Sequence, residues 1–178
     1  MMGTKQNKIR LTLPEELDAL WALIEEARKS IAQLGIDQWQ KGSPTRAYFE
    51  EDIAAKRSYV AVDTQGNIQG TMALFKEGEP IYDRIEKGAW RTNDAYLAIH
   101  RVAVAISARG SGVSGALMDF AAKEARKEGL KSLRIDTHEG NRPMRAMLER
   151  EGFVYCGIVK LKTGEKRVAY EKVLNKNS

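Results

Sequence analysis

The densest chemistry in the chain sits in Arg109-Gly110-Ser111-Gly112-Val113-Ser114-Gly115. Glycines let a backbone approach a ligand closely and adopt conformations other residues avoid. Where such a loop opens a helix, main-chain N–H groups that the helix does not use favour an anion, and phosphate is the obvious one. Arg109 adds a permanent charge in a forked geometry. The plainer reading of the same residues is a flexible strand-to-helix loop with no ligand. Outside the loop, His100 carries an imidazole, whose protonation changes near neutrality, on an apolar run. His138 and Glu139 follow a second apolar run, and Tyr155 follows Gly152-Phe153.

Gly110, Gly112 and Gly115 spell G-x-G-x-x-G, with Asp136 further on, which matches the spacing of a dinucleotide fingerprint. Three features weigh against an NAD(P)-binding oxidoreductase. Ala105 to Arg109 separate the preceding strand from the first glycine, where the fingerprint wants a tight turn. The loop begins past the midpoint of the chain, which leaves too few residues for a doubly wound sheet. After Asp136 the pattern runs to one short helix and a hairpin rather than to further β–α repeats. The loop also fails the G-x-x-x-x-G-K-[ST] pattern, and no G-x-S-x-G occurs.

The elements that must position these residues follow from periodicity. Ile9–Thr12 reads as a short strand. Pro14-Glu15-Glu16 suits a helix first turn, and Leu17, Leu20, Trp21, Ile24, Ala27 and Ile31 continue at helical spacing to about Leu34. A second helix fits after Pro44, through Tyr48, Ile53 and Ala54. Tyr59–Val62 and Ile68–Phe75 read as a hairpin around Gln65-Gly66-Asn67. Ala95–Ala105 is a central strand, and strict alternation would put Tyr96, Ala98, His100, Val102 and Val104 on one face. Val113 to Ala125 is a helix ended by Gly129. Leu133–Thr137 is a strand, Met144–Arg150 a short helix, and Phe153–Leu161 with Arg167–Val173 a closing hairpin. The expected fold is α/β (α+β): a mixed, mostly antiparallel central sheet of six to seven strands with helices on both faces, in a single domain over residues 8–175.

Composition narrows the function classes. The chain has 178 residues, 43% of them hydrophobic and 30% charged, as an ordinary globular domain does. The net charge of +5 comes from 29 basic residues interleaved with 24 acidic ones, so it suits an anionic ligand without implying nucleic acid. No apolar run is long enough for a membrane span, and Met1 to Arg10 lacks the apolar core of a secretory signal, so cytoplasm is the expected compartment. One cysteine, Cys156, excludes a disulfide framework, and with only His100 and His138 besides, a Cys/His metal site is not expected.

Read as Arg-x-x-Gly-x-small (Arg109, Gly112, Ser114) after Ile99-His100-Arg101-Val102-Ala103-Val104, the loop resembles the pyrophosphate-binding loop of the GNAT superfamily of acetyl-CoA-dependent N-acyltransferases. Asn141-Arg142-Pro143-Met144, followed by Leu148-Glu149-Arg150-Glu151-Gly152-Phe153, is similar to that family's Asn-led helix ending in Gly-Phe, and the order of elements agrees. The resemblance spans Ile9 to Leu174 and implies a GNAT-like fold. It also implies acetyl transfer from acetyl-CoA, as co-substrate and without a metal, to a primary amine of a small molecule or peptide.

Residue by residue, the resemblance implies that the amides of Gly110, Ser111, Gly112, Val113, Ser114 and Gly115 hold the pyrophosphate beside Arg109. The strand edge at Val102 and Val104 would pair with the pantetheine arm, and Asn141 would hydrogen-bond it. As a plain residue, Asn141 reads as a helix cap. The reaction implied is direct attack of the amine on the thioester. Deprotonating a lysine-like amine at pH 7 costs about 4.6 kcal/mol, and an α-amine about 1.4 kcal/mol. The catalytic candidates are His100 as base and Tyr155 as acid, because many members carry a tyrosine where this chain has Leu148. The Lys76–Asp94 connection with Tyr82 and Trp90, and Trp39 in Asp37-Gln38-Trp39-Gln40, suit an acceptor mouth for a small cation; loop packing is the plainer reading. A non-catalytic acyl-CoA-binding module is the remaining alternative. A homodimer through the sheet edge or the C-terminal hairpin is compatible with the pattern.

Overall fold

The computed structural model describes residues 7–175; Met1–Gln6, the start of the segment judged not to be a secretory signal, lie outside it. Strand β1 (Lys8–Leu11) leads through a 3-10 turn at Pro14–Glu16 into helix α1 (Leu17–Ala32), followed by α2 (Arg46–Ala54). Strands β2 (Ser58–Val62), β3 (Ile68–Phe75) and β4 (Tyr96–Val104) come next, then α3 (Val113–Lys127), β5 (Ser132–Thr137), α4 (Arg142–Arg150), β6 (Val154–Lys160) and β7 (Lys166–Val173). The seven strands form one sheet in the order β1-β2-β3-β4-β5-β7-β6. β4 and β5 pair parallel, as a β–α–β unit requires. The pairs β1–β2, β2–β3, β5–β7 and β6–β7 are antiparallel. This is the mixed, mostly antiparallel sheet expected from the sequence.

Among the described residues, 7–73 together with Arg101–Leu117 form one compact unit, and Leu74–His100 together with 118–175 form the other. In the first unit, Leu20, Leu23 and Ile24 put one stripe of α1 into the core, and the Trp21 ring meets Phe49 edge-on at 5.9 Å. Glu16 sets the entry to α1: its carboxylate takes two bonds from Arg10, at 2.7 and 3.1 Å, and one from the Leu13 N–H at 2.8 Å. The helix ends at Ala32, short of the expected Leu34, where the chain tightens into turns before the left-handed Gly35.

In the second unit, Leu97, Ala98 and Ile99 are all buried, the mark of a central strand covered on both faces. The core also takes Leu133, Ile135, Leu148, Phe153 and Tyr170. The Lys76–Asp94 connection is tied down. Glu86 and Ile158 bridge in both directions at 2.8 Å, and a Cβ on Gly88 would stand 2.0 Å from the Cys156 carbonyl oxygen. Beneath it the fully buried Glu171 accepts from Ser132, Arg134 and the Arg91 N–H, while Arg134 lies 4.3 Å from the Trp90 ring and 4.0 Å from the Tyr96 ring. Helix α4 starts at Arg142, two positions before the expected Met144, because Asn141 caps it and Pro143 fits its first turn. Among the described residues, no helix is long and apolar enough to cross a membrane.

Candidate active site

The first unit holds the glycine loop. β4 ends at Val104, and a 3-10 turn at Ile106–Ala108 carries the chain to Arg109. The turn is anchored by the Ile106 N–H, which donates to Glu26 at 2.8 Å, and by the Ala105 N–H, which donates to the Gln69 carbonyl at 2.8 Å. Gly110 and Gly112 sit at φ of +76° and +88°, and a Cβ on either would meet nothing within 4 Å, so both border open space. The first bond of α3 runs from the Ala116 N–H to Gly112. The amides ahead of Ala116 therefore precede the helix's own ladder and lie at the positive end of its dipole. Arg109 is exposed. The first turn of α3 is pressed onto β3: a Cβ on Gly70 would stand 2.8 Å from Val113 Cγ1 and 3.2 Å from the Ala103 carbonyl. Gly70 thus lets the helix start approach the sheet closely. The loop fits a phosphate-bearing ligand on its open glycines, its amide positions and its exposed guanidinium.

The turn at Ile106–Ala108 also separates strand from glycine, and β5 leads to α4 and then to an antiparallel hairpin. Both features depart from a dinucleotide-binding unit.

The second unit holds a cluster of titratable groups drawn from three segments. His100 Nε2 lies 2.9 Å from Glu79 Oε2. The contact is close in distance but not aligned as a hydrogen bond, and it becomes an ion pair only when the ring carries a proton. The imidazole packs edge-on to Phe75 at 4.9 Å and stacks on Tyr82 at 6.1 Å. The Tyr82 hydroxyl donates to Asp136 Oδ2 at 2.6 Å. Tyr96 clamps the Glu79 main chain, accepting from its N–H at 3.0 Å and donating to its carbonyl at 3.2 Å. Gly78, at φ +85°, makes room for that clamp, since a Cβ there would stand 2.9 Å from the Tyr96 hydroxyl.

These contacts set the electrostatics. Interaction with the His100 ring is the main reason the Glu79 carboxyl is held below the usual range, against desolvation that pushes it up. Desolvation raises Asp136, although the nearby His100 and the Tyr82 hydroxyl pull the other way. Burial, then the Asp136 charge, pushes the Tyr82 phenol well up, so it remains a donor at any ordinary pH. The arrangement is an imidazole paired with a carboxylate, which can take a proton and have the resulting charge compensated.

Other candidates fall where packing explains them. Tyr82 is buried, and Trp90 donates its indole N–H to the Tyr82 carbonyl at 2.8 Å, so both sit inside the connection. Trp39 is partly buried at φ +63°. Tyr155 is exposed, with its ring edge-on to Tyr170. Asn141 is buried, and its side-chain oxygen accepts from the Met144 N–H at 3.3 Å, the capping role. His138 Nδ1 accepts from the Gly140 N–H, and the Glu139 carbonyl from Arg145. Leu148 is wholly buried. Alternation on β4 does not carry through as expected. Arg101 has a φ of +57°, which breaks the pleat between His100 and Val102, so the two need not share a face. Glu79 escaped the sequence reading altogether; its only local signal is its place before Pro80, where it caps the Ile81 N–H at 3.3 Å. Asp136, which completes the spacing of the dinucleotide fingerprint, is the acceptor for the Tyr82 hydroxyl.

Comparison with known proteins agrees with this geometry. The model of the acetyltransferase (GNAT) family matches residues 19–153, and the chain belongs to that family. A GNAT-family acetyltransferase from Streptococcus agalactiae is 36% identical, with a TM-score of 0.84 over 96% of both chains. One from Listeria monocytogenes, 21% identical, shares the fold with a TM-score of 0.74 over 98% of both. Streptothricin acetyltransferase of Streptomyces lavendulae is 30% identical over 117 residues, which are 66% of this chain and 54% of that protein. The chain thus spans about half the length of this curated relative.

Proposed function

We propose, starting from that membership, that the chain moves the acetyl group of acetyl-CoA to a primary amine by direct attack on the thioester. The observation that carries the reading is the loop after β4, where Gly110 and Gly112 border open space just ahead of the α3 ladder and the Ser111 N–H is tied back to the Ala108 carbonyl at 3.2 Å. In this reading the amides of Gly110, Gly112, Val113, Ser114 and Gly115 bind the pyrophosphate, with Arg109 beside it, while the expected Ser111 amide is engaged by the Ala108 carbonyl and shapes the turn instead. The β4–β5 ladder ends at Ala98↔Arg134, so Val102 and Val104 lie beyond it, and their strand edge takes the pantetheine amides. Asn141 keeps the contact to that arm that the resemblance implies, alongside its cap.

The amine nitrogen bonds to the acyl carbon, the carbon–sulfur bond breaks, and coenzyme A leaves as thiolate. The amine's proton goes to His100, and Glu79 compensates the imidazolium. Tyr82 and Tyr96 hold ring and carboxylate in place rather than lining an acceptor mouth. Leu148 offers no proton, so the thiolate takes one from water. An enzyme working in the cytoplasm on a small or peptide amine fits all of this.

Thermal shift with acetyl-CoA against NADH tests the ligand. Acetyl-CoA at 100-fold excess over Kd adds about 2.7 kcal/mol of stability, and stabilisation by NADH alone would refute the reading. Thiol release across an amine library, with streptothricin included because a relative is named for it, tests the chemistry. Tight coenzyme A binding with no turnover on any amine would make the protein a binding module instead.

A further inference from the structure

Arg101 sits in the middle of β4 with a φ of +57°, a conformation uncommon for any residue but glycine. Its side chain is held on both prongs. Nε lies 2.7 Å from Asp52 Oδ2 and Nη2 lies 2.8 Å from Asp52 Oδ1. Asp52, near the end of α2, is 1% exposed, and its Oδ1 also accepts from Arg57 Nε at 2.7 Å. The Arg57 N–H donates to the Asp52 carbonyl at 3.0 Å, and the Tyr48 ring lies 5.5 Å from the Arg101 guanidinium. A buried carboxylate shared by two arginines is costly unless every partner is in place, so the geometry is fixed on all sides.

The position of Arg101 gives this device a use. It lies directly between His100 and Val102, and three residues past Ala98, the last β4 residue paired with β5. A glycine would reach the same φ with no help, but nothing would hold it there. For an arginine the same φ is strained, and the two bonds to Asp52 hold it there.

We propose that Asp52 is a positioning residue. Acting through Arg101, it locks the left-handed turn in β4 that leads into the strand edge, at Val102 and Val104, receiving the coenzyme A arm. This rests on the reading of β4 under Proposed function. Asp52 touches neither substrate nor the reacting atoms in this scheme; it fixes the backbone of Arg101 and with it the start of the Val102–Val104 edge.

The test is a double-mutant cycle on the full chain, read by calorimetric Kd for acetyl-CoA, by KM and kcat, and by denaturant stability. Asp52→Asn and Arg101→Gly should each weaken acetyl-CoA roughly tenfold, with saturating kcat much less affected. The double variant should be no weaker than either single one, because both remove the same tether. Arg101→Lys keeps the charge without the fork and should recover only part of the affinity. Losses that add in the double variant, or folded Asp52→Asn with the wild-type Kd, would overturn the proposal. If Asp52→Asn does not fold, Arg101→Gly and Arg101→Lys decide alone: wild-type Kd in both overturns it, and graded weakening upholds it. Wild-type protein that binds no coenzyme A would instead bring down the functional reading and this inference with it.

Discussion

The glycine loop and the imidazole cluster are opposite kinds of site. The loop is one contiguous stretch, exposed, and its chemistry lies in the main chain. The cluster is largely buried, its chemistry lies in side chains, and its members Glu79, Tyr82, His100 and Asp136 come from three separate segments. An anion cradle needs only backbone shape, which glycines and a helix start supply locally. A base needs a partner that meets it, and partners are supplied by tertiary structure. The two sites should therefore fail differently. Damage to the loop should show in coenzyme A binding, and damage to the cluster in turnover.

The largest expected effect is on His100→Gln. Loss of the proton acceptor should lower kcat by about 10²- to 10⁴-fold with the Kd for acetyl-CoA unchanged. Steady-state kinetics beside calorimetry reads both quantities, and a kcat within threefold of wild type would remove His100 from the chemistry.

Next comes Gly112→Val. A side chain at φ +88° costs about 1–2 kcal/mol, so acetyl-CoA should bind roughly tenfold more weakly while saturating turnover persists. Equilibrium titration checks it; equal falls in kcat and affinity would erase the contrast between the two sites.

Arg109→Ala should have a smaller effect of the same kind. It should cost coenzyme A several-fold in affinity and an analogue lacking the phosphates much less, since a guanidinium–phosphate contact is the only thing removed. Competition binding with both ligands decides, and equal losses would refute the pyrophosphate role.

The smallest effect concerns stability. Desolvation raises the Asp136 carboxyl, and a raised group favours the folded state at low pH and loses that contribution as pH climbs through its folded value. Asp136→Asn should therefore raise Tm at pH 7–8 and leave it unchanged in strong acid. Glu79 has the opposite sign. Its carboxyl is held down by His100, so its contribution is present above the ordinary glutamate range and fades as pH falls below it. Thermal melts from pH 3 to 8 would separate the two, and an Asp136→Asn gain that is flat with pH would contradict the assignment.

Legibility in the sequence followed the same divide. The bounds of β3, Ile68–Phe75, coincide with the expected ones because a turn signal at Gln65-Gly66-Asn67 and an apolar run define it locally. The β4–α3–β5 crossover was readable because helical and strand periods alternate cleanly. Helix α4 starts two positions ahead of Met144, directly after the Asn141 cap and with Pro143 in its first turn, since apolar periodicity marks a helix only from its first buried residue. The left-handed Arg101 left no trace: its conformation is held by Asp52, and arginine itself gives no hint of positive φ. For Tyr82 and Trp90 composition leaves an acceptor mouth and loop packing both open, and their hydrogen bonds tie them into the connection.

Residue order alone settled where the glycine turn ahead of α3 lies, which segments become strand or helix, and which crossover must be parallel, since these depend on periodicity and on backbone freedom within a few neighbours. Folding decided which ionisable groups meet. His100 finds Glu79, Asp136 finds Tyr82 and Asp52 finds Arg101 only once distant segments are packed. Charge and hydrogen-bond interactions act over a few ångströms in space, and separation along the chain says nothing about that distance.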